Sequence, residues 1–421
     1  MAEPHAVPPL EAAPAPAAAG GRVPAAFYRF WSAVGVSNLG DGAVYAGLPL
    51  LAFSLTKDAF VVAAVTTALR MPAVLVGVFT GAVIDRFDLR RIVGSVLAVR
   101  VGVLAAAATM VALHAASIGA LIGIAFVLGA LEILFDNTSP AVTPHLVRRD
   151  DLTWANGRIM ATQIVANGIL GPPLGALLFG LALAFPFWMA AGAYALALAA
   201  VAGIRTQRVA REDAARAFSR ESLWAGLTHV WHDSLLRRFL IVIPTASFAL
   251  TAALATFVIL VRHELGVSSF GYGVVLAVGS IGGVAGATVA PRLEARLGRQ
   301  RTLPLAFLVA GAGLAVEGFA PNVLVLGVGA ALGYAGTMIW GPVMVGFLQR
   351  VVPEQVFGRV YAGYTAAQAA AATIGAAAGG AVASAFNVRV TFVVSAMLFG
   401  AAGTFIATRM AKDIAAAEAA A

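Results

Sequence analysis

The chain has 421 residues, 60% hydrophobic and 11% charged, with a mean hydropathy of +0.89. That balance leaves too little polar surface for a water-soluble domain and marks an integral membrane protein. A net charge of +8 and a pI near 10.4 would suit a nucleic-acid binder, but the placement of the charges, traced below, argues against one. The absence of cysteine removes disulfides, thiolate metal sites and cysteine nucleophiles. The two lysines, Lys57 and Lys412, both lack a preceding glycine, so there is no phosphate-binding Gly-Lys loop and no ATP hydrolysis by that route.

Residues 1–25 are rich in Ala and Pro, with no basic start leading into an apolar core, which predicts a disordered tail and not a signal peptide. Apolar segments of about 20 residues then follow one another, each long enough to cross a hydrocarbon layer of about 30 Å. They fall at 29–53, 60–83, 92–114, 118–138, 160–183, 186–204, 239–261, 271–291, 303–319, 323–345, 361–384 and 391–409. Twelve crossings with both termini on one side make alternate loops share a side. Of the 28 Lys and Arg, only Lys57, Arg262 and Arg389 then fall on the far side, and Arg70 and Arg100 stay within the membrane. The excess of basic residues marks the termini side as cytoplasmic, and miscounting one helix would destroy the asymmetry.

Between the second and third segments lies Gly81-Ala-Val-Ile-Asp85-Arg86-Phe87-Asp88-Leu-Arg90-Arg91, the densest opposed-charge cluster of the first half. It predicts a short water-facing turn. A longer polar insertion, 205–238, carries seven arginines and separates six segments from six. Within it Leu223, Trp224, Leu227, Val230, Trp231 and Leu235 share a helical face opposite Glu221, His229, His232 and Asp233, which predicts a helix lying on the cytoplasmic membrane surface. The expected organisation is therefore a tail at 1–25, a six-helix bundle at 26–205, a linker at 206–238, a second bundle at 239–410 and a cytoplasmic tail at 411–421. The halves echo one another weakly: Pro140, Gly157-Arg158, Gly171 and Gly175 find counterparts in Pro342, Gly358-Arg359, Gly375 and Gly379, and Arg296-Leu-Gly298-Arg299 echoes the end of the charged turn. Two related bundles with a site between them at mid-membrane would produce this pattern.

Ionisable groups in a membrane are costly, so each is a functional candidate until its partner is found. The candidates are Asp41, Arg70, Arg100, Glu132 and Asp136. At about 1.5 Å per residue, Asp41 and Arg70 lie roughly 18 to 20 Å, and Arg100 and Glu132 about 12 Å, from the inner ends of their helices, which predicts the pairs Asp41–Arg70 and Arg100–Glu132. Asp136 follows Glu132 by one turn on the same face. Such pairs are either structural ties or a proton switch, in which an arginine moving away from a buried carboxylate changes its proton affinity. Glu317, near the outer end of the ninth segment, and Glu264, in an outer loop, are expected to be solvated.

The fifth segment carries Asn167-Gly168-Ile-Leu-Gly171-Pro172-Pro173-Leu-Gly175, in which glycines permit close helix approach and the prolines remove backbone donors. The second half is poor in charge. Its Phe248, Thr251, Tyr334, Trp340 and Gln368, with Met338, Met344 and Tyr364, would wall a cavity suited to a bulky, partly apolar organic molecule. The chain has no His-Glu-x-x-His and no Gly-x-Ser-x-Gly, and neither an enzyme activity nor a cofactor or metal is expected.

The form Gly-x-x-x-Asp-Arg-x-x-x-Arg-Arg at 81–91 resembles the signature loop between helices 2 and 3 of the major facilitator superfamily, with Asp88 in place of the second glycine. The run at 167–175 resembles the antiporter motif of that superfamily's exporters, with Asn167 and Ala176 replacing its first and last glycines. Asn38-Leu-Gly40-Asp41, Asp85-Arg86-Phe87-Asp88 and Leu235-Leu236-Arg237-Arg238 are similar to the drug-efflux branch that includes the enterobactin exporter. The resemblance spans residues 27 to 409. It implies an all-α fold of twelve transmembrane helices in two pseudo-symmetric six-helix bundles, alternating access, and a monomer in the bacterial plasma membrane that exchanges protons for a small organic substrate such as a drug or siderophore. It further implies that Gly81, Asp85, Arg86, Arg90 and Arg91 latch the inner gate. Uptake or uncoupled transport of a small solute, export of a lipid conjugate, and a non-transporting sensor or scaffold remain the alternative readings.

Overall fold

The computed structural model describes residues 24–75, 88–148, 151–202, 231 and 233–420. Twelve long helices run through them. α1 is Ala25–Leu55, α2 Ala59–Leu75, α3 Leu89–Ala112, α4 Ile118–Val142, α5 Leu152–Leu181 and α6 Phe185–Ala202. In the second half α7 is Ser234–Glu264, α8 Ser269–Leu297, α9 Arg299–Phe319, α10 Val323–Val351, α11 Glu354–Ala385 and α12 Val388–Glu418. Ten of these are long and apolar enough to cross a membrane; the described part of α2 is shorter, and α1 falls outside that set. Several extend beyond the apolar segments read from the sequence, because hydropathy marks only the lipid-facing length and polar ends such as Arg350 stay helical.

Short polar residues fix where the helices start. Asp88, Ser117, Asp233, Ser268, Asn322 and Asn387 each accept backbone N–H bonds from the first turns of α3, α4, α7, α8, α10 and α12. Gly298 joins α8 to α9 at φ +72, where a side chain would meet Gln300.

The helices pack as two six-helix bundles, α1–α6 and α7–α12, and the glycine echo marks the same contact in each. A Cβ on Gly171 would lie 2.6 Å from the Cα of Gly42, and one on Gly175 2.5 Å from the Cα of Ala43, so α5 touches α1 backbone to backbone. In the second bundle, Gly375 and Gly379 set α11 against Phe248 and Ala252 of α7, at 2.8 and 2.6 Å by the same measure. Only glycine permits such approach.

The bundles meet on the face opposite the chain termini. There Gly273 of α8 abuts Pro173 and Ala176 of α5, and Gly380 of α11 abuts Phe60 and Ala63 of α2. Among the described residues no comparable contact joins α4 to α10 or α11 towards the termini face, and Asp136 and Asn137 of α4 are exposed there. Among the described residues the arrangement is closed on one face and parted on the other.

On the termini face, residues 411–420 are helical and continue α12. Ile414 is fully buried, Asp413 pairs with Arg238 at 2.5 Å, and Glu418 pairs at 2.5 Å with Arg299, which also holds Glu294. The tail and most of the linker helix expected from the sequence lie outside the described residues; Trp231, from that helix, is helical and exposed.

Candidate functional site

The buried charges of the first bundle converge from several helices. Arg100 of α3 donates through Nη1 to Asp41 Oδ1 of α1 at 3.0 Å and to the Tyr194 hydroxyl of α6 at 3.1 Å, while Tyr194 donates to the same Asp41 oxygen. Arg100 is 2% exposed and lies 5.0 Å from the Tyr194 ring and 5.7 Å from the Phe135 ring. A guanidinium so placed is held by charge, by hydrogen bonds and by aromatic faces together.

This corrects both pairs expected from helix depth. Asp41 pairs with Arg100 and not with Arg70, and Arg100 reaches Asp41 in preference to Glu132. A count of helical rise places Cα atoms. The arginine side chain adds several ångströms of reach, enough to span the difference in level. Arg70 lies instead beside the Tyr45 hydroxyl and within electrostatic range of Glu132. Glu132, Asn167, Tyr45 and Leu69 also line a small cavity of about 40 Å³ around the Asp41–Arg100–Tyr194 group. Asp136, one turn from Glu132, is exposed towards the parted face.

Local sequence explains how Asp41 is reached. Gly40 and Gly42 flank it: a Cβ on Gly40 would lie 3.3 Å from Ala193 of α6, and one on Gly42 would strike the Asn167 carbonyl and lie 2.9 Å from Gly171 of α5. Helices α5 and α6 therefore close on α1 around the carboxylate. The same stretch of α5 is a π segment, Ile164–Leu170, in which Gly171 N–H bonds back to Ala166. Pro172 and Pro173 leave the carbonyls one turn before them without α-helical donors, and the chain responds by widening the turn. Asn167, Gly171 and Gly175 thus lie along α1, while the carbonyl of Pro172 faces Gly273 of α8.

Of the charged turn, Gly81, Asp85 and Arg86 lie outside the described residues. Arg90 donates to the carbonyl of Ala202 at the end of α6, where the helix dipole favours a cation; Arg91 is exposed. Asp88 accepts from Arg90 N–H at 2.9 Å and Arg91 N–H at 3.3 Å, so the residue that replaces a glycine serves as the N-cap of α3.

The cavity residues expected in the second bundle separate. Tyr334 lies at the bundle interface beside Tyr45. Phe248 and Gln368 are half-buried. Thr251 is buried with its hydroxyl donated to Ser247 O at 2.8 Å, and Trp340 packs against Phe307 of α9 at 5.5 Å, inside the bundle. Sequence reasoning passed over Tyr194 and Tyr45, the two hydroxyls that touch the charges. A lone tyrosine in the alanine-rich sixth segment was the available signal. Glu317, expected in solvent, is 5% exposed. Among the described residues no group of His, Asp and Glu could hold a metal ion.

Comparison with known proteins agrees with this architecture. The family model described as transmembrane secretion effector, a major facilitator family, matches residues 22–420. The multidrug efflux pump Tap of Mycolicibacterium fortuitum is 24% identical over 400 residues, covering 90% of this chain and 95% of that protein. Among solved structures, the nucleoside transporter NupG superposes with a TM-score of 0.74 at 12% identity, covering 94% of this chain and 99% of that one. A bacterial homologue of the iron transporter ferroportin, in an inward-facing state, gives 0.70 at 16%, covering 91% and 99%. At these identities the superpositions establish the fold alone, while the family match spans nearly the whole chain. The chain is thus a multi-pass membrane transporter, and it belongs to the transmembrane secretion effector family of the major facilitator superfamily.

Proposed function

We propose that this transporter is a proton-coupled exporter of bulky, partly apolar organic molecules, set in a bacterial plasma membrane with both termini cytoplasmic. The observation that carries the reading is the Asp41–Arg100–Tyr194 group, in which a half-buried carboxylate, a buried guanidinium and a tyrosine hydroxyl meet from three separate helices. Their attraction depends on Asp41 being ionised. Adding a proton to Asp41 removes it, and an unpaired buried guanidinium then favours a new partner. Glu132 and, one turn nearer the parted face, Asp136 offer one. A single proton would in this way change which helices α3 is tied to, and the π segment of α5 beside Asp41 gives the first bundle a place to flex. Arg70, beside Tyr45 and Glu132, is the counter-ion that keeps Glu132 in the membrane.

Phe248, Tyr334 and Gln368 are the residues proposed to meet substrate, with Thr251 and Trp340 behind them. Arg90 and Arg91, with Gly81, Asp85 and Arg86, are proposed to close the termini face when the bundles rock. The excess of Lys and Arg on that face supports its cytoplasmic assignment, and similarity to a multidrug efflux pump supports export over uptake.

The test is transport in inverted membrane vesicles whose lumen has been acidified by respiration, with a panel of apolar drugs and siderophores. Export coupled to protons is expected to raise lumenal pH on addition of a substrate. Asp41→Asn, present at wild-type level in the membrane, is expected to lose that response. If no compound moves protons in the wild type and the variant transports equally well, the coupling assignment fails and Asp41 is a structural partner of Arg100.

A further inference from the structure

Glu317 stands two residues before the end of α9, where a carboxylate would ordinarily reach water. Helical side chains tilt towards the N-terminus of their helix, and for α9 that direction leads into the bundle. The carboxylate settles against Gly329 and Gly333 of α10, whose added Cβ atoms would lie 2.8 Å from Glu317 Cγ and 3.5 Å from its Oε1. Glu317 faces a mostly apolar cavity whose wall includes Phe257, Leu314 and Phe392, with Tyr334 and Thr337 as its other polar residues; the Thr337 hydroxyl is donated to the Tyr334 carbonyl.

Among the described residues no cation answers it. From α12, Arg389 is committed to the carbonyls of Gly318 and Ala320, at 3.0 and 2.9 Å, and to Glu264 at 3.6 Å. Helix α7 presents only Leu250, Ala253, Leu254 and Phe257 to the cavity. The titratable groups nearby are Tyr334 of α10, which neighbours Glu317, and Tyr272 of α8, which neighbours Tyr334. An ionised carboxylate without a counter-ion is strongly disfavoured in such surroundings, whereas a neutral acid is tolerated. Tyr334 also meets Tyr45 of α1, and Tyr45 adjoins Arg70 and Glu132. A line of polar groups therefore runs from Glu317, across the boundary between bundles, to the charged site.

We propose that Glu317 is a proton-binding site of the second bundle, linked to the charged site of the first through the hydroxyls of Tyr334 and Tyr45. Because these tyrosines belong to different bundles, their contact changes when the bundles move, and the environment of the Glu317 proton changes with it. Use of that proton in transport rests on the coupling proposed above. Its presence does not.

The experiment is a pH titration of the full-length protein in lipid by difference infrared spectroscopy, reading the carbonyl stretch of protonated carboxylic acids. The wild type is expected to show such a band near neutral pH, lost in Glu317→Gln and kept in Asp41→Asn. Glu317→Asp, which retains the acid, shifts the band and serves if the glutamine variant does not fold. Tyr334→Phe is expected to keep the band and move the pH at which it titrates. Spectra that are the same for wild type and a folded Glu317→Gln overturn the proposal, and an unmoved midpoint in Tyr334→Phe overturns the link. If the band is present while wild-type vesicles show no substrate-driven proton movement, the coupling fails and the Glu317 site stands.

Discussion

The same backbone contact occurs twice in this molecule and is put to different use. In the first bundle, Gly171 and Gly175 bring α5 against α1 beside Asp41, with Arg100 and Tyr194 closing on the carboxylate from α3 and α6. In the second, Gly375 and Gly379 bring α11 against the backbone of Phe248 and Ala252 of α7, two residues that carry no charge. Close packing is thus a property of the repeated architecture, and charge was placed upon it in one copy only. Such a division suits a transporter whose first bundle responds to protons and whose second presents an apolar wall. Glu317, a carboxylate in a mostly apolar cavity, is the departure from that rule.

The largest expected effect lies at the ion pair. Arg100→Met leaves the half-buried Asp41 without its cation and is expected to cost about 2–3 kcal/mol of stability, less than for a fully buried pair, with transport lost. Thermal unfolding of the purified protein measures it, and adding Asp41→Asn is expected to restore much of the stability but no transport. If the double variant is no better than the single one, the two residues do not act as a pair. Next come the glycines. Gly171→Ala and Gly375→Ala each drive a methyl into a neighbouring backbone, at a cost of roughly 1–3 kcal/mol. Equal losses of stability, with substrate-driven proton movement reduced further in the Gly171 variant, would sharpen the contrast; equal losses of both would break it.

Much of this was legible in sequence because the bilayer imposes a length. Twelve apolar stretches and a one-sided distribution of arginine suffice to count the helices and sort them into two bundles. The site was legible only as a set of residues. Asp41, Arg100 and Glu132 stand out because charge is rare in such a chain, but which of them meet depends on how far a guanidinium reaches and how the helices rotate, and neither is written in hydropathy. Tyr194 was lost among alanines, although its hydroxyl completes the pair. Glu317 was misplaced because its Cα lies near a surface while its carboxylate points inward. Asp88 read as a missing glycine until its place before α3 showed it to be a cap.

The smaller effects compare one hydroxyl from each bundle. Tyr194→Phe removes a group bonded to both members of the ion pair, and a loss of about 1.5 kcal/mol is expected, since hydrogen bonds to charged groups exceed neutral ones. Thr251→Val removes a hydroxyl that is spent on the carbonyl of Ser247 in its own helix, a bond that does little for helix stability. Valine fills nearly the same space, so the expected change is within about 0.5 kcal/mol. Unfolding curves give both values, and uptake of a panel of organic dyes into inverted vesicles gives the functional counterpart. Near-neutral stability with an unchanged dye profile for Thr251→Val would confine the working polar groups on these two helices to the first bundle. An altered profile at unchanged stability would instead put Thr251 in the substrate wall, because its hydroxyl would have to leave Ser247 and face the cavity when the bundles rock.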